Sequence, residues 1–522
     1  MKRNGTLMFA LLIMLILAMS LMAQSAGDYR TRGSGDWSSA QVWQVYNGSV
    51  WGNTLTPPTG AETITILSTD SVFVNAPLSI TGTLINQGIV DAVDSLTITI
   101  ANGGTYQHDR DEGTIPRCIW AEGSNLLITG VTATAPADRD QDYYNVTFDT
   151  PDLLSNLNMN LNNNTIGGDI RVINTGYARW YLTTALANDT STVTIMGDVI
   201  VEDGALSVQG TSNALTTFIV HHYGNIVVTG GNFSVSRGSQ GGGTTTWYLH
   251  EGNFSMSNAT TQSSTATPGG ARFVFDKQGT QTLTLGEGNT LNALPIEISS
   301  GTTLDMGSSV LGGSGIFVAN AGSTLLTSVP GGINEIFTAV TAELTLEDGS
   351  GYGFNGTAAQ VTGTRMPTTV GDLIINNAAG VTLSQETTIN GVLRLMAGVF
   401  DNTIPFTLGP DGSISNEGGS LLIPVAIESD ELNVPRSFFV EQNYPNPFNP
   451  TTTIRFGLAS SSFVTAGLFN VLGQEVSVLF KGHLNAGEHV LQVNGANLSS
   501  GIYYYRIQAG NNVSMKRMIL MK

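Results

Sequence analysis

The sequence predicts an all-β chain: a right-handed parallel β-helix (a β-solenoid) followed by a small immunoglobulin-like β-sandwich. Three observations predict it. Short runs of Val, Ile, Thr and Leu, broken by Gly, Asn, Asp and Ser, continue for about four hundred residues, the pattern of many short strands joined by tight turns. Four segments among them repeat: "GGDIRVINTG" from Gly167, "MGDVIVEDGALSVQG" from Met196, "YGNIVVTGGNFSVSRG" from Tyr223 and "EGNFSMSNAT" from Glu251. Their equivalent glycines, Gly168, Gly197, Gly224 and Gly252, are 29, 27 and 28 residues apart. Finally, the chain has one cysteine, Cys118, so no intrachain disulfide can form and a large core must hold the body together.

The first elements concern delivery. Lys2 and Arg3 form a positive start, residues 7–22 an apolar run, and "AQSAG" a small-residue cleavage site, so residues 1–26 read as a secretory signal peptide. The apolar run is short for a bilayer, and no stop-transfer charges follow it. Residues 27–60 crowd Trp37, Trp43 and Trp51 together. Such rings can form a platform for sugars, or they can seal the open first turn of a solenoid, as terminal repeats must.

Residues 61–419 are the repeat body. A short strand with one apolar face cannot bury that face alone, but stacked turns share one continuous core. Gly, Asn and Asp at the corners tolerate the left-handed backbone angles of sharp turns, and Asn and Thr can stack as hydrogen-bonding ladders. An array of small β-sandwiches is the alternative, for which the units are too short. The stretches "GTAAQVTG" (356–363), "LIINNAAGVTL" (373–383) and the Trp-rich opening resemble β-solenoid surface proteins of the Bacteroidetes. That resemblance implies an architecture rather than an activity.

A Pro-bounded acidic stretch at 420–440 reads as a linker open to proteolysis. Beyond it, residues 441–522 read as a small β-sandwich. Pro445, Pro447 and Pro450 hold an extended entry that cannot join a ladder until "TTTIRFGL" begins. The turn at Gly473 follows, then "GIYYYRI", and "VSMKRMIL" closes the sheet. These residues resemble the C-terminal sorting domain of the type IX secretion system. The resemblance rests on "NYPNPFNP" (Asn443, Tyr444, Pro445, Asn446, Pro447, Phe448, Asn449, Pro450), on "FNVLGQEV" with Gly473, and on "LSSGIYYYRI" with Gly501 and Tyr503. The basic end at Lys516, Arg517 and Lys522 completes it. It implies passage across the inner membrane by the signal peptide and recognition by the secretion machinery at the outer membrane. Removal of the domain and release or surface attachment of the passenger would follow.

The net charge of −19 argues against nucleic acid and against anionic membranes, whose phosphates would be repelled. Catalysis has few sequence candidates. Alternate acids in "DRDQD", Asp138, Asp140 and Asp142, could wrap a calcium ion, since hard oxygens suit it, or simply form a solvated loop. His108, Asp109, Asp111 and Glu112 form a second acidic group. His221 and His222 are adjacent, so on a strand they face opposite sides and cannot share a metal. Cys118 reads as a small buried residue rather than a nucleophile. No phosphate-cradling loop, zinc spacing or G-x-S-x-G elbow occurs in the body. The expectation is a secreted or cell-surface solenoid with an adhesive or glycan-binding role and no cofactor. The alternative is a polysaccharide-active lyase or hydrolase, with calcium. The two part on whether carboxylates and a basic residue converge in a groove along one parallel sheet.

Overall fold

The computed structural model describes residues 24–522 apart from 95–96, 184–189, 211–216, 237–243, 262–269, 287–290, 292–293, 314, 341–343, 424–434 and 436. Most of the expected signal segment and linker therefore lies outside the described residues. The chain forms two compact units, Met1–Ile423 and Pro424–Lys522.

The first unit is a three-sided β-solenoid. One turn runs through Ile170–Asn174 on the first face, Trp180–Tyr181 on the second and Thr190–Ile195 on the third. Val199–Val201 then returns to the first face, in parallel register with Ile170–Asn174. The first face is the longest sheet, with nineteen strands. Side chains alternate as a half-buried strand demands: in Thr190–Ile195, Ser191, Val193 and Ile195 are buried while the others are not. At the N-terminal end the strand Tyr29–Thr31 pairs in parallel with Thr63–Ile66 and antiparallel with Trp43–Tyr46. An antiparallel layer thus adjoins the first parallel turn.

Turn length divides the solenoid. Partners on the first face step from Ile64 to Leu84, Tyr106, Leu126 and Val146, which is 20 to 22 residues per turn. From Ile170 the steps lengthen to 29, 27, 28 and 29, through Val199, Ile226, Phe254 and Leu283. The next steps are 23, 21 and 27, from Thr280 to Thr303, Leu304 to Leu325 and Leu325 to Tyr352, and the last are 20 or 21 through Leu373, Leu393 and Ile414. The strand Gly279–Leu285 marks one transition, because Leu283 pairs back to Phe254 while Thr280 pairs forward to Thr303. The ladder slides along that strand where wide turns give way.

Buried rings are concentrated where the turns are wide. Narrow turns are packed mainly by Ile, Leu and Val, such as Ile64, Leu84, Ile100, Leu126, Leu373 and Leu393, all fully buried. A wider cross-section at close-packed density needs larger side chains. The wide turns supply Trp180, Phe218, Phe233, Trp247, Phe254 and Phe273, each at most 1% exposed. Phe233 lies 5.1 Å from Trp247 and 5.9 Å from Phe254, both edge-on, and Phe254 lies 5.5 Å from Phe273. Burying each ring stabilises the body by about 1.5–3 kcal/mol relative to leaving it in water.

The repeated Gly-Asp/Asn pair now has a physical account. Gly197, Gly224 and Gly252 lie directly over the backbone of the preceding glycine, so a Cβ at any of them would strike main-chain atoms. The next residue in each turn forms a ladder. Asn145 Oδ1 accepts from the Asp169 N–H, Asp169 from Asp198, Asp198 from Asn225 and Asn225 from Asn253, at 2.7–3.0 Å. Each corner side chain thereby fixes the axial register of the following turn.

Candidate functional site

A groove of about 640 Å³ opens on the second face of the wide turns. Tyr177, Arg179 and Tyr181 come from one turn, Asp203 and Gly204 from the next, and Gly231 with Asn232 and then Thr260 from the two after. At the parallel-strand spacing, four turns extend roughly 15–20 Å along the axis. Three turn glycines pave the floor. Gly204 has φ +88°, and a Cβ there would strike Thr175, so no side chain can fill the groove from below. Arg179 is held in place: Nη1 donates to Asn232 Oδ1 at 3.3 Å and to Ser234 Oγ at 3.2 Å. Asn232 Nδ2 in turn donates to Thr260 Oγ1 at 2.9 Å. Tyr177 is fully exposed. The lining is rich in hydroxyl, amide and phenol groups, with one guanidinium and one described carboxylate, Asp203.

The aromatic and acidic candidates of the sequence lie elsewhere. Trp43 is fully buried and Trp37 nearly so, their rings edge-to-face at 4.9 Å. Trp37 donates its indole N–H to Pro58 O and Trp43 donates to Trp37 O. A buried ring has no free face for a sugar, which corrects the expectation for these two. Trp51 alone of the three stays partly open. Asp138, Asp140 and Asp142 do not converge. Arg117 reaches Asp138 at 3.3 Å and Asp140 at 2.9 Å, whereas Asp142 accepts from Asn164 Nδ2 and the Thr165 N–H. The Arg117 guanidinium bridges the two acids that do approach each other. Among the described residues no three His, Cys, Asp or Glu side chains are placed to hold a metal.

Asp111 is structural as well. Burial is the largest single influence and pushes its carboxyl up, but the N–H groups of Thr132, Ala133 and Thr134 at 2.8–2.9 Å together outweigh it and hold the group below the usual range. His222 faces the core and His221 faces out, as strand alternation requires. On the outside, His250 links His221, at 2.9 Å, to Asp276, at 3.1 Å. Burial pushes the Cys118 thiol up to about 12, so the thiolate is not populated near neutral pH.

The second unit is a sandwich of a three-stranded and a four-stranded sheet whose described pairings between strands are antiparallel. Ile454, Phe456, Val464, Leu468, Tyr505, Ile507 and Leu520 fill its core. The Asn/Pro entry is clamped onto it. Asn443 is buried; its Nδ2 donates to Thr452 Oγ1 and Pro445 O, and its N–H donates to the Tyr505 hydroxyl. Asn446 Oδ1 accepts from the Ile519 N–H, and the buried Phe448 exchanges backbone bonds with Ile519 and Met521. The ladder begins at Thr451, directly after Pro450. Tyr503 donates to Ser499 O, and Lys522 Nζ to Ala496 O. Residues 442–521 match the family of secretion system C-terminal sorting domains. The chain carries a type IX sorting domain behind a β-solenoid. No curated protein and no solved structure matches the chain. The sorting domain implies interaction with the type IX secretion machinery and export to the cell surface or medium.

Carboxylates and an arginine meet outside the groove at Arg117, at Arg394 and around Glu202, and at the last of these a carboxyl is shifted upward. On the outer side of the first face Arg171 pairs with Glu202. Partial burial and the charge of Glu202 raise the Asp149 carboxyl above its ordinary value. Sequence reasoning missed both this triad and the groove. Tyr181, Asp203, Asn232 and Thr260 are more than twenty residues apart, and only the stacking of turns unites them.

Proposed function

We propose that this exported solenoid is a non-catalytic glycan-binding or adhesive protein, and that it holds a linear glycan in the groove over Tyr177, Tyr181 and Arg179. The observation that carries this reading is the groove itself. It runs along the axis over four turns, its floor is glycine, and phenol, amide and hydroxyl groups line it. Tyrosine rings offer apolar faces to pyranose C–H groups, and their hydroxyls with Asn232, Thr260 and Arg179 offer hydrogen bonds. A hydrolase needs two carboxylates across the sugar. Asp203 is the one carboxylate among the described lining residues. The second reading, a polysaccharide-active enzyme, is favoured by one observation: the Asp149 carboxyl, raised above its ordinary value by partial burial and by the charge of Glu202, which itself pairs with Arg171.

Incubating the full-length exported chain with neutral and acidic polysaccharides, with and without calcium, separates the two. Retention without new reducing ends, weakened about tenfold by Tyr181→Ala and unchanged by Glu202→Gln, is expected. Cleavage abolished by Glu202→Gln or by Asp149→Asn would overturn the binding reading. Calcium dependence would return attention to Asp138, Asp140 and Asp142.

A further inference from the structure

We propose that the outer face of the N-terminal antiparallel layer is a second subsite that takes an anionic sugar unit, one bearing a carboxylate or a sulfate. The inference rests on the glycan-binding reading above and adds a ligand class and a place. Register puts Arg30 opposite Gln44, Gln44 opposite Asn53, and Tyr46 opposite Trp51. Thr31 is buried, so the side chains of Arg30 and Arg32 on either side of it project outward with that row. The Arg30 guanidinium lies 4.5 Å from the centre of the Trp51 ring, and Tyr46 lies 5.3 Å from the same ring. Arg30 Nε donates to Gln44 Oε1 at 3.0 Å, and Arg32 Nη1 donates to Asn53 Oδ1 at 2.7 Å.

Charge sets this patch apart from the ion-paired arginines of the body. Arg110, Arg139 and Arg365 also meet only neutral partners among the described residues, but each is turned onto a backbone carbonyl. The protein carries a net charge of −19, and Arg117, Arg171, Arg272 and Arg394 each lie within 4 Å of a carboxylate. Among the described residues, Arg30 and Arg32 have no carboxylate at that distance; their side-chain partners are neutral amides. The nearest acid along the strand, Asp28, turns its carboxylate onto the Ser25 N–H at 2.7 Å. Two guanidiniums therefore keep N–H donors in the fork geometry that matches carboxylate or sulfate oxygens. Beside them, Trp51 and Tyr46 offer the ring faces on which a pyranose packs. A uronic acid residue presents both surfaces at once, an apolar C–H face and a planar anion. So does a sulfated sugar. An acidic polymer is repelled by the rest of this chain and has a complementary charge here.

The test uses the full-length exported chain and three soluble polymers: polygalacturonate, dextran sulfate and neutral dextran. The pair Arg30→Gln with Arg32→Gln is expected to weaken binding of at least one anionic polymer about tenfold or more, and to remove most of its salt dependence. Dextran binding stays unchanged. The two anionic arms distinguish carboxylate from sulfate. Arg32→Gln alone touches only the exposed Asn53 amide, so it tests the claim without risk to the fold, and several-fold weakening is expected. Trp51→Ala should weaken the same polymer. Anionic binding that survives both arginine changes and is lost in Tyr181→Ala overturns this subsite and leaves the groove reading standing. Retention of neutral dextran alone has the same meaning. If no polymer of either kind is retained, both readings fall.

Discussion

The wide turns of residues 170–285 and the narrow turns on either side follow the same plan but do different work. Both run through three faces, both set a Gly-Asp/Asn corner in places, and both stack in parallel. A narrow turn of about 20 residues closes mainly over aliphatic side chains, with single rings such as Tyr106, Phe148 and Phe400 among them. A wide turn of about 28 residues needs rings inside, and its extra length is spent on corners and on longer third-face strands. The groove lies in the wide part, at corners paved by Gly176, Gly204 and Gly231. Turn length sets the surface of this scaffold: the repeat supplies a ladder, and the added residues supply corners that differ from turn to turn.

The largest test of this contrast is Trp247→Ala. The ring touches Phe233 and Phe273 in a cross-section that backbone collapse cannot close, so about 3–5 kcal/mol is expected to be lost. Hydrogen exchange of Thr244–Leu249 against a Leu126→Ala control in a narrow turn reads the difference. A smaller loss at Trp247 than at Leu126 would break the link between width and rings.

Acid should act on both regions alike. His108 in a narrow turn and His222 in a wide one donate Nε2–H to Glu112 O and Gly197 O, while neither Nδ1 has a hydrogen-bond partner among the described residues. Burial pushes each imidazole down to about 4 from an ordinary 6.5. The folded state thus binds fewer protons than the unfolded state between those values. Stability is complete above pH 6.5 and falls as pH drops towards 4, by about 3 kcal/mol for each histidine. Denaturant midpoints at pH 7 and pH 4.5 measure this, and His222→Asn should remove its share.

Gly224→Ala places a methyl group against the Gly197 carbonyl and should cost about 1–3 kcal/mol, with turn spacing disturbed locally. Asn225→Ala removes the ladder bond from the Asn253 N–H and the bond its Nδ2 donates to Asp198, and should cost about 1–2 kcal/mol, visible as a small shift in melting temperature.

Much of the fold was legible because a solenoid writes its period into the chain. Gly168, Gly197, Gly224 and Gly252 head successive turns, and their spacing equals the register steps from Ile170 to Phe254. The sorting domain was legible for another reason: Asn443, Asn446 and Phe448 make contacts that only those side chains supply. What the sequence hid is lateral. Whether Trp37, Trp43 or Trp51 faces solvent depends on the antiparallel register of the first layer, which no periodicity reports. Asp138 and Asp140 looked like cation ligands because Arg117, more than twenty residues earlier, is brought onto them only by one turn of the coil. The groove was hidden in the same way, since its lining is gathered across turns.

Hydroxyl-radical footprinting of the full-length exported chain, with and without the neutral polysaccharide it retains best, tests the central claim most directly. The account predicts protection of Tyr177 and Tyr181 on the wide turns, with exposed aromatics of the narrow turns such as Phe73 unchanged. Protection confined to narrow turns or to the sorting domain, with Tyr177 and Tyr181 equally reactive in both states, would contradict it.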